Sequence, residues 1–309
     1  MARSQGFTLL ELLVVIGVLS VLMGLSIGHL QKTDPQALYD SIMAGELRAA
    51  QLTARSEGVP TEVLLRPGPD GAPGTVQSRL LQPVAAFHFE PNEAVLDETL
   101  RPMLGGEDKP AGRFGHARTP GLEPKTALLR WQAPPAVLDL ASGFVVRFDL
   151  WLESSKAMTL LRLPPALELV VDAEGRPRAQ MRLVGAGGTG TTLASATSEL
   201  PLPLRQWCTL DIGCDGRQLW LTLDGRELAQ ATAEGAPQQN EDSVFEVVPP
   251  EGAFEGAIDE VRWFVYAFAP PQLLPIELLL KQPYRFAFNA RGEAIEQPTV
   301  RFQSAEEGS

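Results

Sequence analysis

Residues 7–28 read FTLLELLVVIGVLSVLMGLSIG, an almost unbroken apolar run behind a short polar leader, MARSQG. As an α-helix such a run would span roughly 33 Å at about 1.5 Å per residue, enough for the hydrocarbon of a bilayer. Arg3, Glu11 and His29 are the only ionisable side chains in the first thirty residues. Arg3 favours keeping the leader side in the cytoplasm. Glu11 does not fit a plain anchor. A carboxylate inside an apolar span costs on the order of 2.5–3.5 kcal/mol at mid-membrane, somewhat less near an end, and is usually kept for a partner. An ordinary secretory signal has an apolar core of roughly 7–15 residues and a small-x-small cleavage site. This core is longer, and SIGHLQK is a poor site of that kind. A run this long and this apolar also argues against a helix buried in a soluble core.

The rest of the chain has a soluble character. With 309 residues, 44% hydrophobic and 21% charged, it can bury a packed core, and its length suggests two domains. The formal charge of −12 repels phosphate backbones, which argues against a nucleic-acid partner. Two cysteines are too few for a disulfide framework, and the histidines at 29, 88 and 116 show no metal-ligand spacing. His88 and His116 read as surface residues.

Gly6-Phe7-Thr8-Leu9-Leu10-Glu11, followed by the apolar span, resembles the processing site of type IV pilins and type II secretion pseudopilins. The resemblance implies cleavage after Gly6 by a prepilin peptidase, N-methylation of Phe7, and a subunit-assembly role for Glu11. Leu10 stands where isoleucine is frequent in that family, a near-isosteric change. Cleavage would leave a cationic amine on Phe7, with Glu11 about one helical turn away. In a growing filament Glu11 of one subunit can pair with the Phe7 amine of its neighbour and set the axial register, a better-attested use of such a pair than stability.

Downstream, Asp34 reads as an N-cap, Pro35 as the first helical residue and Gly58 as the stop. Leu38, Ile42, Ala49 and Leu52 recur at roughly helical spacing and predict the apolar stripe of that helix. Strands are expected over 61–65 and 75–82 around the turn PGPDGAPG, with a third over 84–90. Residues 91–124, rich in Pro, Gly and charge, read as a linker. From about 126 to 267 come short strands separated by turns such as Asp215-Gly216 and Asp224-Gly225, the pattern of an antiparallel sandwich. WCTLDIGCDGRQLWLTLDG and the later FEGAIDEVRWF resemble the laminin-G-like, concanavalin-A-like jelly roll. YRFAFNARGEAIEQPTVRFQ resembles the final hairpin of H-type minor pseudopilins and their pilin relatives.

These pieces set the expected organisation. Residues 1–6 are a leader peptide and 7–30 the transmembrane half of an N-terminal helix. Residues 31–90 and 275–309 form a pilin-like α+β domain, with a long helix on a small antiparallel sheet. Residues 91–124 are a linker and 125–268 an inserted all-β jelly-roll sandwich. A serial stalk followed by one larger β domain is the rival arrangement.

Catalytic motifs are sparse. Residues 185–190 are glycine-rich but lack the lysine and following helix of a phosphate loop. There is no GxSxG elbow and no HExxH. Jelly-roll glycosidases need two carboxylates across a cleft, and no ExDxxE strand is present. Asp259 and Glu260 are adjacent, so a strand would send them to opposite faces, as a turn-proximal aspartate and a solvated glutamate. Asp172, Asp215 and Asp224, with Glu174, are the weak candidates for a calcium site, but turns favour aspartate in any case. Trp131, Trp151, Trp207, Trp220 and Trp263 all lie in strand-like runs and read mostly as core, with room for one to stack on a sugar. Cys208 and Cys214 would sit about 20 Å apart on one extended strand, beyond disulfide reach, and face the core as free thiols.

The expected function is that of a non-enzymatic minor pilin or minor pseudopilin, a subunit of a type II secretion pseudopilus or type IV pilus. It would have one pass through the inner membrane and a periplasmic body that displays a recognition module for protein or carbohydrate. Expected partners are other pilins, prepilin peptidase, the membrane and a secreted protein or glycan. No cofactor is required. A membrane-anchored carbohydrate-active enzyme or lectin using a pilin-like export signal is the alternative.

Overall fold

The computed structural model describes residues 34–90, 102–121, 126–132, 137–138, 140–185, 190–238, 240, 243–251, 254–289 and 291–304. The leader, the apolar span and the residues Gly6, Phe7 and Glu11 lie outside them. No helix among the described residues is long and apolar enough to cross a membrane.

Helix α1 (Pro35–Glu57) begins and ends where the local chemistry directs. Asp34 Oδ1 accepts from the Gln36 N–H at 3.0 Å, and Gly58 closes the helix in the left-handed region at φ 65°. The face that packs inward differs from the expected one. Tyr39, Met43, Ala50 and Ala54 are buried, whereas Leu38 is 42% and Leu52 58% exposed. At 3.6 residues per turn Leu38 and Leu52 lie about 150° around the helix from the centre of the buried set. The alanines win the inner face because they let the backbones close in, and Thr61 Oγ1 donates to the Ala50 carbonyl at 2.9 Å.

The principal strands are β1 (Thr61–Arg66), β2 (Thr75–Phe87), β3 (Phe144–Leu152), β4 (Met158–Leu163), β5 (Leu167–Val171), β6 (Pro177–Val184) and β7 (Thr191–Thr197). They are followed by β8 (Trp207–Cys214), β9 (Gln218–Leu223), β10 (Arg226–Thr232), β11 (Phe245–Val247), β12 (Gly256–Phe268), β13 (Tyr284–Phe288) and β14 (Ala294–Glu296). A twelve-stranded sheet runs β10-β9-β8-β3-β12-β2-β1-β13-β14, with three short strands off this path. An eight-stranded sheet runs β7-β6-β5-β4-β11 and continues through two short strands, with a third short strand pairing β6 off this path. The described residues therefore form mostly an antiparallel β-sandwich with one α-helix.

Strand β2 carries the fold from one half to the other. Its first residues pair with β1, and from Arg79 onward it pairs with β12. The two strands expected over 75–82 and 84–90 are thus one. Pro83 is accommodated where the β12 register shifts between Trp263 and Phe264, a bulge that spares proline a ladder hydrogen bond. The described part of the expected linker also departs from expectation. Met103–Leu104, Glu107–Lys109 and Ala117–Thr119 pair into the two sheets.

Alternation along β3 and β8 sends Phe144, Val146, Phe148 and Leu150, with Leu210 and Ile212, between the sheets. An aromatic chain crosses this core, with Trp131–Phe245 centroids at 6.5 Å, Phe245–Trp263 at 5.0 Å and Phe144–Trp263 at 5.6 Å. Such pairs add about 0.5–1.5 kcal/mol each beyond area burial. Cys208 and Cys214 face the same core as free thiols. Burial pushes them up to about 12 and about 11. A second core joins α1 to β1, β2 and β13 through Tyr39, Val63, Leu65 and Phe286.

Candidate functional site

The outer face of the twelve-stranded sheet, away from the sandwich core, carries an unusual density of buried charge. Odd-numbered residues of β3 point there. Arg147 makes a two-pronged pair with Asp211 on β8 at 2.8 and 3.0 Å, and also donates to the Glu57 carbonyl at the end of α1 at 2.5 Å. This clamp ties the helix end to the sandwich.

Two residues further along the strand, Asp149 and Asp259 face each other across β3 and β12. Asp259 Oδ2 accepts from the Arg113 and Phe114 N–H groups at 2.8 and 3.0 Å, and Oδ1 from the Glu260 N–H at 2.8 Å. Asp149 Oδ1 accepts from Arg113 Nη1 at 2.5 Å and Thr209 Oγ1 at 2.7 Å. Burial raises both carboxyl groups above their usual range, against the lowering effect of these hydrogen bonds. Their oxygens hold the 112–114 turn against the sheet. The expectation of a solvated Glu260 is corrected. The β12 register shifts between Asp259 and Arg262, and Glu260 takes φ 49° and turns in, accepting from Arg262 Nη2 at 2.7 Å and lying 2.8 Å from His88 Nδ1. His88 and His116 are partly exposed, each beside a carboxylate, with His116 Nδ1 2.9 Å from Asp108.

A groove of about 460 Å³ opens farther along this face, between the β9–β10 hairpin and the β13–β14 hairpin. Its floor is an ionic triad. Glu62 accepts from Arg79 Nη1 at 3.1 Å and from Arg285 Nε. Arg79 also donates to the Asp215 carbonyl at 2.7 Å and to the Ser142 carbonyl, and lies 4.7 Å above the Tyr266 ring. It thereby stitches the helix-bearing end of the sheet to two turns of the sandwich. On the other wall the β13–β14 loop docks on α1. Gln51 Nε2 donates to the Gly292 carbonyl at 2.9 Å, and a Cβ on Gly292 would meet Arg55 Cγ at 2.5 Å. Trp220 lies against Gly213, where a Cβ would sit 2.2 Å from the indole. Glu62, Arg79 and Arg285 belong to no motif or spacing pattern in the sequence. A charged residue in mid-strand between aromatic or apolar neighbours, as in Tyr284-Arg285-Phe286, is the available signal.

The turn aspartates occupy three separate turns; Asp172 and Asp215 serve their own turns, and Asp224 reaches across to β8. Asp172 accepts from the Glu174 and Arg176 N–H groups at 3.0 and 2.8 Å, Asp215 from those of Arg217 and Gln218 at 2.9 and 2.8 Å, and Asp224 from that of Thr209 at 2.9 Å. No group of three or more His, Cys, Asp or Glu placed for a metal ion is found among the described residues. Of the tryptophans, Trp131, Trp220 and Trp263 are buried. Trp151 and Trp207 are half-buried cross-strand neighbours with ring centroids 6.0 Å apart.

The prokaryotic N-terminal methylation motif matches residues 1–27. Those residues carry a type IV pilin-like signal, which implies peptidase processing and inner-membrane anchoring of the N-terminus. No curated protein matches the chain. Among solved structures the chain is similar to domain 4 of an extracellular arabinanase from Geobacillus stearothermophilus, in complex with arabinotriose. The identity is 18%, over 62% of this chain and 95% of that one, with a TM-score of 0.40. It is also similar to the binding domain of a paraclostridial mosquitocidal protein, at 10% identity, 63% and 50% coverage and a TM-score of 0.46. Domains LG4-5 of the mouse laminin α1 chain give 15% identity, 52% and 40% coverage and a TM-score of 0.30. The chain spans half or less of the length of these last two.

Proposed function

We propose that this chain is a minor pilin or minor pseudopilin, a non-enzymatic subunit of a type IV pilus or type II secretion pseudopilus that displays a β-sandwich binding module. The observation that carries the reading is the methylation motif over residues 1–27, placed directly ahead of a helix that packs on a sheet. In this reading residues 31–90 and 275–309 are the pilin-like α+β part, with the jelly-roll sandwich built out from its sheet.

Prepilin peptidase cuts after Gly6, and Phe7 becomes the methylated first residue. The new amine is a cation beside the lipid, and Glu11 lies about one turn along the helix. Glu11 of one subunit pairs with the Phe7 amine of another as the helix leaves the bilayer, which offsets the burial of both charges and fixes the step between subunits. The outward stripe of α1, with Leu38, Ala49 and Leu52 exposed, supplies apolar surface for neighbouring helices in the filament. The Arg147–Asp211 clamp and the Arg79 triad transmit the position of the helix to the module. A module of this bulk crowds a lattice of identical subunits, which favours a minor stoichiometry.

Replacement of Glu11 by alanine tests the reading in the native host. Loss of piliation or secretion, with the chain still in the membrane, supports assembly. Unchanged function would assign the N-terminus to anchoring alone.

A further inference from the structure

The groove between the β9–β10 and β13–β14 hairpins lies within the roughly 300–1,000 Å³ range of small-ligand pockets. Its lining holds three guanidinium groups, on Arg79, Arg285 and Arg291, against three carboxylates, on Glu62, Asp215 and Glu227. The formal charges cancel, so the groove offers no net field for a phosphate, a sulfate or a metal ion. The triad in the floor is satisfied internally. Nearer the mouth, the side chains of Gln218, Glu227, Gln230 and Arg291 make no hydrogen bond or ion pair among the described residues. All four end in planar amide, carboxylate or guanidinium groups, which can each engage two adjacent hydroxyls.

A second observation is independent of these. Trp220 lines the groove, is 5% exposed, and its buried Nε1–H has no acceptor among the described residues. A buried donor left unmet costs about 1–3 kcal/mol, and native structures keep few of them. An occupant rich in oxygen acceptors would relieve it. Tyr266 and Phe288 are buried in the cores and Ile295 stands at the rim, so no apolar socket is open for a peptide anchor.

We infer that this groove binds a short neutral oligosaccharide, held by Gln218, Glu227, Gln230 and Arg291 at the seam between the helix-bearing end of the sheet and the sandwich. The inference rests on reading the sandwich as a displayed binding module. Its failure would leave N-terminal processing and assembly untouched, because those are read by different assays.

The test uses the full chain in a non-glycosidic detergent. Isothermal titration calorimetry is run with neutral trisaccharides of gluco, galacto, manno and arabino configuration. Sulfated trisaccharides and a mixture of unstructured peptides serve as comparators. At least one neutral trisaccharide is expected to bind saturably. Glu227→Ala and Gln230→Ala are each expected to weaken it by about tenfold, the scale of one lost hydrogen bond to a charged group or two neutral ones. Both sites are exposed, so melting temperatures stay unchanged. Lys109→Ala, beside Trp151, leaves the affinity unaltered. The inference is overturned if no neutral trisaccharide binds, if binding survives both groove variants intact, or if sulfated sugars or peptides bind in preference.

Discussion

Replacing Arg79 with methionine removes the guanidinium while keeping most of the aliphatic stem. The loss can be sized from its contacts. Arg79 pairs with Glu62 at 3.1 Å, donates to the Asp215 carbonyl at 2.7 Å and covers the Tyr266 ring at 4.7 Å. Its side chain is 11% exposed and that of Glu62 10%. Breaking one side of a buried pair costs about 3–5 kcal/mol when the remaining charge is left alone. Glu62 keeps Arg285 as a partner, so the low end applies, about 3 kcal/mol. At about 2–4 °C per kcal/mol for a domain of this size class, the midpoint falls by roughly 6–12 °C. Circular dichroism melts of wild type, Arg79→Met, Glu62→Met and the double variant give a thermodynamic cycle. A coupling of about 1–3 kcal/mol is expected, as for residues in one ionic network. A loss under about 1 kcal/mol for Arg79→Met, or additive single changes, would refute the view that this triad joins the two halves of the sheet.

Other outcomes follow from the same geometry. Cys208 and Cys214, buried and pushed up to about 12 and about 11, should resist alkylation at pH 8 in the folded protein and react on unfolding; prompt native labelling counts against the core assignment. Asp149, raised by burial above the usual 3.8, holds its proton more tightly folded than unfolded. Its contribution is full below about pH 3.8 and declines as pH rises through the folded value. Asp149→Asn should therefore gain stability relative to wild type from pH 3.8 towards neutrality in urea melts, and a pH-independent difference contradicts this. Leu38→Glu and Leu52→Glu, at exposed sites, should each change stability by no more than about 0.5 kcal/mol. Both should reduce incorporation into filaments, scored by immunoblot of sheared fractions, and normal incorporation argues against an outward packing face on α1.

The parts legible in the sequence are those governed by local chemistry. Asp34, Pro35 and Gly58 bracket α1 because capping depends on a few adjacent residues. Strong apolar alternation located β3 and β8 and placed both cysteines in the core. Of the stripe expected on α1, only Ile42 packs against the core, partly buried, and Leu38 and Leu52 face outward, because the helix has two apolar faces and only packing shows that Ala50 and Ala54 approach the sheet. Strands β7 and β10 gave little signal, since TTLASAT and RELAQAT are polar and small. Each lies at the edge of its sheet, where little apolar area is buried. The docked 112–114 turn is held by side chain–backbone bonds to residues far along the chain, which no spacing rule encodes. The groove is likewise made by strands from distant segments, and of its lining the sequence marks only Trp220 and the turn residues Asp215 and Gly225.

A pilin-like subunit requires a mature chain that starts at Phe7. Intact-mass and N-terminal fragment spectra of the protein isolated from its native membrane decide this directly. The expected species lacks residues 1–6 and carries one added methyl group on the Phe7 amine. A native chain that still begins MARSQG would contradict the pilin-like reading.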